Sequence, residues 1–303
     1  VDFAVTTNGT LLTDEAIRFI QEHEMSVTVS IDGFEEAHDR HRCFPDGSPS
    51  YATIIPNIRE LLRSSQKKPV VARVTVARNP DDVPAMLDHL LDIGFAEAGF
   101  APVTTCDLAY QLDSTEMDLL LIWFKTLSER FLKAATRDEF FGFSNMIDLL
   151  VVLHEGEVKT HPCGAGLGLF SVDPDGDLYL CQRLTGEQRL RMGDVTGGLD
   201  EARVREFREQ AEISRKKVCT SCWARNECAG GCYHEALVRE GNPTAPNLHY
   251  CDCIKSWVEM GMQIYARIAL NRPDYLDKLS ILRGHENVHN LLPPFRKGGQ
   301  RGI

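Results

Sequence analysis

The sequence lacks the features that would place a protein in or across a membrane. No run of about 18 apolar residues occurs in the 303-residue chain, so we expect no transmembrane helix. No charged segment followed by a short apolar one marks a signal peptide, and we therefore predict a cytoplasmic protein. Basic residues are outnumbered by acidic ones, 33 Lys and Arg against 44 Asp and Glu. The resulting net charge of −11 argues against nucleic acid as a partner. The basic run SRKKVC is interpreted as a solvated helix end.

Cysteine, by contrast, is abundant and clustered. The chain has ten cysteines, and four of them fall within CTSCWARNECAGGC, which runs from Cys219 to Cys232. In a reducing compartment closely spaced thiols indicate metal binding or catalysis rather than disulfides. A structural zinc site and an iron–sulfur cluster both remain open on this spacing.

The first part of the chain alternates between strand-like and helix-like segments. Strands are predicted at 1–9, 26–33, 70–77 and 96–103, and helices at 13–23, 51–62 and 83–94. Alternation of this kind indicates parallel strands joined by right-handed crossovers. A sheet that starts at Val1 leaves the outer edge of its first strand unpaired, so we predict an α/β fold with an incomplete barrel.

Ligands of parallel sheets bind at the carboxyl ends of the strands. Candidates at these ends include Asn8, Ser30 and Asp32, with Arg73 on the third strand and Val103 at the end of the fourth. Turn formation and ion pairing at the edge of the core are the alternatives for these residues.

The remaining cysteines lie around a predicted hairpin and a loop. The hairpin turns at Asp175-Gly176 and would bring Cys163 close to Cys181. The spacing after it is Cys-x2-Cys-x5-Cys-x3-Cys, followed by the CDC triplet that holds Cys251 and Cys253. Two glycines before Cys232 allow a tight turn, so that this thiol can reach a different metal from the preceding three.

This cysteine pattern is similar to the SPASM auxiliary-cluster domain of radical S-adenosylmethionine (SAM) enzymes. Upstream, TTNGTLL, SIDG with the HDRHR that comes after it, and VARVTVARN resemble the third, fourth and fifth strands of that superfamily's barrel. The resemblance covers about residues 1–255 and implies the C-terminal part of a partial (β/α)6 radical SAM barrel followed by a SPASM domain. The family's Cys-x3-Cys-x2-Cys loop and Gly-Gly-Glu segment do not occur in the sequence and would lie before Val1.

The resemblance implies a role in SAM binding for each of the five candidate residues of the barrel. Ser30 would contact the SAM ribose, in a pocket that Asn8 and Asp32 shape. Arg73 would lie near the methionine carboxylate, and Val103 would flank the adenine.

The resemblance also implies two auxiliary [4Fe–4S] clusters in this chain and a third, SAM-binding cluster upstream. The ligands of the first auxiliary cluster would be Cys163, Cys181 and Cys232. Those of the second would be Cys219, Cys222, Cys228 and either Cys251 or Cys253. Residues 164–180 contain no cysteine, so the first cluster would keep an open iron or take the spare member of the CDC pair.

Within the family, the chain looks most similar to peptide maturases that form thioether cross-links, among them the maturation proteins of quinohemoprotein amine dehydrogenase. That branch implies a small substrate protein with Cys and Asp or Glu side chains, an electron donor, and Asp173 and Asp177 as candidate acid or base. Sister maturases that form Cys-to-α-carbon thioethers or formylglycine are the alternative. A zinc-binding module and a pure electron-transfer protein are the alternatives that involve no catalysis.

We expect four regions in the chain. They are the barrel portion 1–112, a helical connector 113–158, the iron–sulfur domain 159–255 and a helical tail 256–303.

Overall fold

The structure, a computed structural model, describes residues 3–64 and 68–284. Its contacts divide the chain into two units. The first comprises the described residues of Val1–Val103, Asp107–Glu155 and Glu259–Ile303, and the second comprises Thr104–Cys106 and Gly156–Val258. The predicted domain boundaries remain predictions, and the C-terminal part of the predicted tail lies outside the described residues. None of the described helices is both long enough and apolar enough to span a membrane.

A parallel sheet forms the centre of the first unit. Its strands, in spatial and chain order, are β1 (Ala4–Thr7), β2 (Ser26–Ser30), β3 (Val70–Val76) and β4 (Glu97–Pro102). All four lie within the segments predicted as strands. In register, Val29 pairs with Ala72, and both side chains are fully buried. Ser30 pairs with Arg73 on the opposite, polar face, because successive side chains of a strand alternate between faces.

Helices connect these strands. They are α1 (Asp14–Glu22), the short α2 (Glu35–Asp39), α3 (Tyr51–Arg63) and α4 (Val83–Ile93). Thr13 and Asp82 begin α1 and α4 as N-caps, accepting hydrogen bonds from the N–H groups of Ala16 and Ala85. The sequence predicted α1, α3 and α4 but treated the segment of α2 as loop. Four acidic, basic or histidine residues in a five-residue helix leave too little apolar periodicity to detect.

Two further helices follow β4, namely α5 (Ser114–Thr136) and α6 (Ser144–Glu155). The segment that joins them covers the free edge of β4. Ala98 N–H donates to Gly142 O at 2.9 Å, and the Asn145 side chain bonds both the N–H and the C=O of Phe100. An asparagine side chain thus replaces a neighbouring strand at this position.

The second unit has short elements and a small core. Its antiparallel sheet comprises β5 (Ser171–Val172), β6 (Asp177–Tyr179), β7 (Arg191–Asp194) and β8 (Gly198–Leu199). Its helices are α7 (Glu201–Ala211), α8 (Arg225–Cys228) and α9 (Tyr233–Glu240). The predicted hairpin is confirmed as β5–β6, and Gly176 in its turn has a φ of +87°.

The last described helices are α10 (Cys251–Asn271) and α11 (Pro273–Leu282). α10 begins at Cys251, before the predicted start of the tail at residue 256. In the first unit, Lys278 of α11 pairs with the buried Asp138 at 2.6 Å. Arg283, just after α11, makes a two-pronged ion pair with Glu97 at the start of β4.

Candidate cofactor and cluster sites

The loop after β1 is held by local side-chain hydrogen bonds. Asn8 Oδ1 accepts from both the N–H and the hydroxyl of Thr10, and Gly9 adopts a φ of +81°. Asn57 of α3 donates to Gly9 O at 3.0 Å. These contacts fix the shape of the loop at the carboxyl end of β1, where the resemblance predicts part of the SAM pocket.

Asp32 lies buried just after β2 and has a complete set of partners. Its carboxylate accepts from Arg42 Nε at 2.5 Å and from the backbone N–H of Thr75 at 2.8 Å. Its own N–H donates to His38 Nδ1 at 3.2 Å. Arg42 was not among the predicted site residues, although it lies in the HDRHR motif of the resemblance. Its pairing with Asp32 depends on a loop whose path the sequence does not reveal.

The five predicted SAM-site residues lie on or directly after adjacent strands. Ser30 and Arg73 are registered neighbours on β2 and β3, and Val103 N–H bonds Val76 O at the end of β3. Asp32 contacts β3 through Thr75, and Asn8 follows β1. Their roles towards SAM remain predictions.

In the second unit, the charges of the other two members of the first predicted ligand set act on Cys163. Burial raises the pKa of the Cys163 thiol, a hydrogen bond from the Ala165 backbone lowers it, and the charges of Cys232 and Cys181 raise it. The β5–β6 hairpin lies between Cys163 and Cys181 in the chain, and the turn at Gly230 and Gly231, with φ of +87° and +82°, directly precedes Cys232. That these three thiols bind one cluster remains a prediction.

The second predicted set surrounds a cavity of about 280 Å³. The thiols that line it are Cys219, Cys222, Cys228 and Cys251. Burial raises the pKa of Cys251, and the charges of Cys228 and Cys222 add to the effect. Of the two cysteines in the CDC triplet, Cys251 is therefore the one that lines this cavity.

The four thiols that line this cavity are candidate metal ligands. Among the described residues, no group of three or more His, Cys, Asp or Glu side chains is arranged so that it could hold a metal ion. A zinc ion holds four thiolates about 3.8 Å from each other, because every sulfur binds the same atom at 2.3 Å. A four-iron cluster binds each thiolate through a different iron atom, so its ligands surround a larger volume. Thiolates are ligands in both kinds of site, and four of them lining one cavity can hold a cluster, which remains a prediction.

Lys216 and Tyr233 are two buried polar residues of the second unit. Lys216 is 4% exposed, and its Nζ lies 5.7 Å from the centre of the Tyr233 ring. Burial lowers the pKa of Lys216, while the charges of Cys219 and Cys228 raise it. The interpretation of SRKKVC as a solvated helix end is thus wrong for its first lysine, which lies between two short 3-10 turns. Composition alone does not reveal which residue of a basic run points inward.

The candidate acid or base residues are engaged in the hairpin turn. Asp173 Oδ1 accepts from the N–H groups of Asp175 and Asp177. The Asp177 carboxylate pairs with Arg191 Nε at 2.6 Å. These contacts give both aspartates a structural role, and their participation in proton transfer remains a prediction.

Proteins similar to this chain include sulfatase-maturating enzymes. A serine-type anaerobic sulfatase-maturating enzyme of Klebsiella aerogenes is 26% identical over 240 residues, which cover 76% of this chain and 57% of the relative. A cysteine-type enzyme of Clostridium novyi (strain NT) is 23% identical over 289 residues, covering 89% of this chain and 73% of the relative. The chain thus spans little more than half the length of the first relative. No family model matches it.

Solved structures extend this likeness to the fold. Hexahistidine-tagged anSMEcpe with bound AdoMet gives a TM-score of 0.75 at 20% identity, over 94% of this chain and 76% of that one. Native anSMEcpe with bound AdoMet and a Kp18Cys peptide gives 0.71 at 19% identity, over 88% and 75%. The chain therefore shares the fold of the corresponding part of these structures.

Proposed function

We propose that this chain is part of a radical SAM peptide maturase that oxidises a Cys or Ser side chain of a sulfatase to formylglycine. The observation that carries the proposal is the pair of thiol sets, within a chain whose fold resembles structures that hold AdoMet and a Cys-containing peptide. Relatives of both the serine type and the cysteine type support the reaction class without selecting the substrate residue.

The sequence alone favoured thioether formation, with formylglycine as the alternative, and the comparisons favour formylglycine. Neither of the two relatives is a maturation protein of quinohemoprotein amine dehydrogenase. Both reactions need the same first event, removal of a hydrogen atom from carbon. They differ in the second event, because formylglycine requires an aldehyde oxygen whereas a thioether requires attack by a second side chain.

The reaction is an oxidation by two electrons. A serine side chain loses two hydrogen atoms to become an aldehyde, and a cysteine side chain in addition exchanges its sulfur for the oxygen of water and releases hydrogen sulfide. Bound SAM and iron–sulfur clusters would supply the one-electron chemistry that amino-acid side chains lack. A redox partner that takes up the surplus electron is part of this proposal.

We assign the binding roles to this chain's own residues. Ser30 and Arg73, side by side on the polar face of β2 and β3, would bind SAM, in a pocket braced by Asp32. Cys163, Cys181 and Cys232 would hold the first auxiliary cluster. Cys219, Cys222, Cys228 and Cys251 would hold the second. Asp32 acts through its neighbours, because its oxygens are already bonded to Arg42 and Thr75.

The test is to incubate the complete enzyme that contains this chain with SAM, a reductant and sulfatase-derived peptides that carry Cys, Ser or Ala at one position. We expect the Cys or Ser peptide to gain an aldehyde, detected by mass spectrometry and by capture with a hydrazide, while the Ala peptide stays unchanged. A product that lacks two hydrogens, reacts with no hydrazide and has lost its thiol would instead establish the thioether reaction.

A further inference from the structure

Tyr233 carries a hydroxyl group that no protein atom satisfies. The residue is 1% exposed, and its Oη has no hydrogen-bond partner within the described part of the chain. Its ring packs edge-on against Phe207, at 5.0 Å between centroids, in the apolar core of the second unit. Buried hydroxyls are nearly always bonded, so an orphan one indicates a partner that the polypeptide itself does not supply.

Tyr233 directly follows Cys232, a member of the first thiol set, at the start of α9. Burial raises the pKa of Tyr233, and the charges of Cys163 and Cys232 raise it further. A tyrosine hydroxyl is a hydrogen-bond donor, and the sulfur atoms of thiolates and of iron–sulfur clusters accept such bonds. A cluster held by Cys232, the residue next to Tyr233 in the chain, would offer such an acceptor.

Lys216 presents the same situation for a charge. Among the described residues no carboxylate pairs with it, and its Nζ donates to Ala229 O at a long 3.5 Å. Its side chain packs so tightly on Gly230 that a Cβ there would lie 2.5 Å from Nζ. A buried cation without a counter-charge is unfavourable, and the groups whose charges raise the pKa of Lys216 are Cys219 and Cys228 of the second set.

We propose that Tyr233 and Lys216 are positioning residues that set the reduction potentials of the two predicted clusters. Tyr233 donates its hydroxyl hydrogen to a sulfur atom of the first cluster, and Lys216 places its positive charge beside the thiolates of the second. Both stabilise the more negative, reduced state, since hydrogen bonds and positive charge near the sulfurs are among the factors that set cluster potentials. This inference rests on the clusters of the proposed function.

The experiment is a redox titration of the anaerobically reconstituted 303-residue chain, monitored by electron paramagnetic resonance. Tyr233→Phe removes a single oxygen atom. In this variant we expect the first cluster to show a ratio of reduced to oxidised form that is about tenfold lower at a fixed solution potential. For a one-electron couple this equals a shift of about 59 mV. In Lys216→Met we expect a shift in the same direction for the other cluster, and Lys216→Arg should restore the original potential.

Tyr179→Phe is the matched control. Tyr179 is equally buried in the second unit, but its hydroxyl already accepts from Gln188 Nε2 at 2.9 Å, so both potentials should stay unchanged. Iron and sulfide are measured in every variant. If the unaltered chain binds no clusters, the proposed clusters and this inference both fail. If clusters form but potentials do not move in Tyr233→Phe and Lys216→Met, or move equally in Tyr179→Phe, this inference alone is overturned.

Discussion

At the scale of single residues, a directional chain of hydrogen bonds fixes the loop after β2. Because the N–H of Asp32 donates to His38 Nδ1, that nitrogen must be unprotonated, and the proton of the neutral ring lies on Nε2. Nε2 then donates to Ser50 Oγ at 3.0 Å, which in turn donates to Arg42 O. The Arg42 side chain in turn donates to the Asp32 carboxylate, so the hydrogen bonds form a closed ring. The structure thus requires a neutral His38.

This requirement predicts how stability depends on pH. Burial lowers the pKa of His38 below its ordinary 6.5, an effect that Arg42 reinforces and Asp32 and Asp39 oppose. The unfolded chain therefore binds more protons than the folded one just below pH 6.5, so the contribution of His38 is complete above that pH and is lost as pH falls through the folded pKa. The loss is at most about 1.4 kcal/mol per pH unit.

The measurement compares urea unfolding of the wild type and His38→Gln from pH 8 down to about pH 5, across the ordinary titration range of histidine. The variant should be less stable at high pH, and the difference in unfolding free energy should shrink as pH falls. A difference that stays constant or grows would show that His38 is not held in its neutral form.

The ion pair between Glu97 and Arg283 is the clearest stabilising interaction in the first unit. Glu97 is 1% exposed and accepts two hydrogen bonds from Arg283 and one from Ser144. Removing one partner of a buried pair costs about 3–5 kcal/mol when the other charge is left unpaired. Arg283 also pairs with Asp148 at 2.8 Å, so we expect Glu97→Gln to lower the free energy of unfolding by about 3 kcal/mol, the lower end of this range.

Glu129→Gln is the control for that measurement. Glu129 pairs with Arg267 at a similar distance, 2.8 Å, but both side chains are about half exposed. Exposed pairs contribute about 1 kcal/mol or less. If urea unfolding shows that both variants lose the same free energy of unfolding, burial does not strengthen the ion pair of Glu97.

At the scale of elements, the start of α10 decides which thiol of the CDC pair can bind a cluster. Residues two apart on a helix point to different sides, so Cys251 and Cys253 cannot both face the cavity. Cys251 lines it and Cys253 does not. We expect Cys251→Ala to lose about half of the iron bound by the reconstituted chain, and Cys253→Ala to keep all of it, as measured by iron and sulfide analysis. The reverse pattern would reassign the ligand.

The segment that covers β4 depends on a glycine. A Cβ on Gly142 would lie 2.2 Å from Ala96 O, a backbone atom that cannot move away easily. Gly142→Ala should therefore displace the segment from β4 and cost about 1–3 kcal/mol of unfolding free energy, the usual cost of overpacking. Gly168→Ala, where a Cβ meets nothing within 4 Å, should change stability little. A Gly142 variant as stable as this control in urea unfolding would refute the steric argument.

The helices and strands were largely predictable from the sequence, whereas contacts between side chains distant in sequence were not. The four parallel strands, the helices that begin at Thr13 and Asp82, and the hairpin turn at Gly176 follow from local periodicity and turn residues. The short α2 and the strands β7 and β8 carry too few residues for a periodic signal. The burial of Lys216 and the orphan hydroxyl of Tyr233 arise from contacts between segments distant in sequence, which no local pattern encodes.

At the scale of the whole molecule, the two units differ in what holds them together. The first has an extended apolar core between its sheet and helices, with fully buried residues such as Val29, Ile54 and Leu87. The second has strands of two to four residues, and its described residues include one apolar cluster of eight buried side chains. A core of that size stabilises little on its own, so bound metal would supply much of the folding free energy there.

This difference predicts where removal of the clusters acts. We expect hydrogen exchange, measured by mass spectrometry on the reconstituted and the cluster-free chain, to rise strongly in peptides from 156–258 when iron is absent. Peptides that contain β2, β3 and α4 should exchange at nearly the same rate in both states, because their protection comes from apolar burial that does not depend on metal. Wild-type peptides around Cys219 and Cys232 should show the largest change, since this segment carries ligands of both predicted clusters. Equal increases in both units would mean that the clusters stabilise the chain as one cooperative body, and no increase would mean that the second unit folds without them.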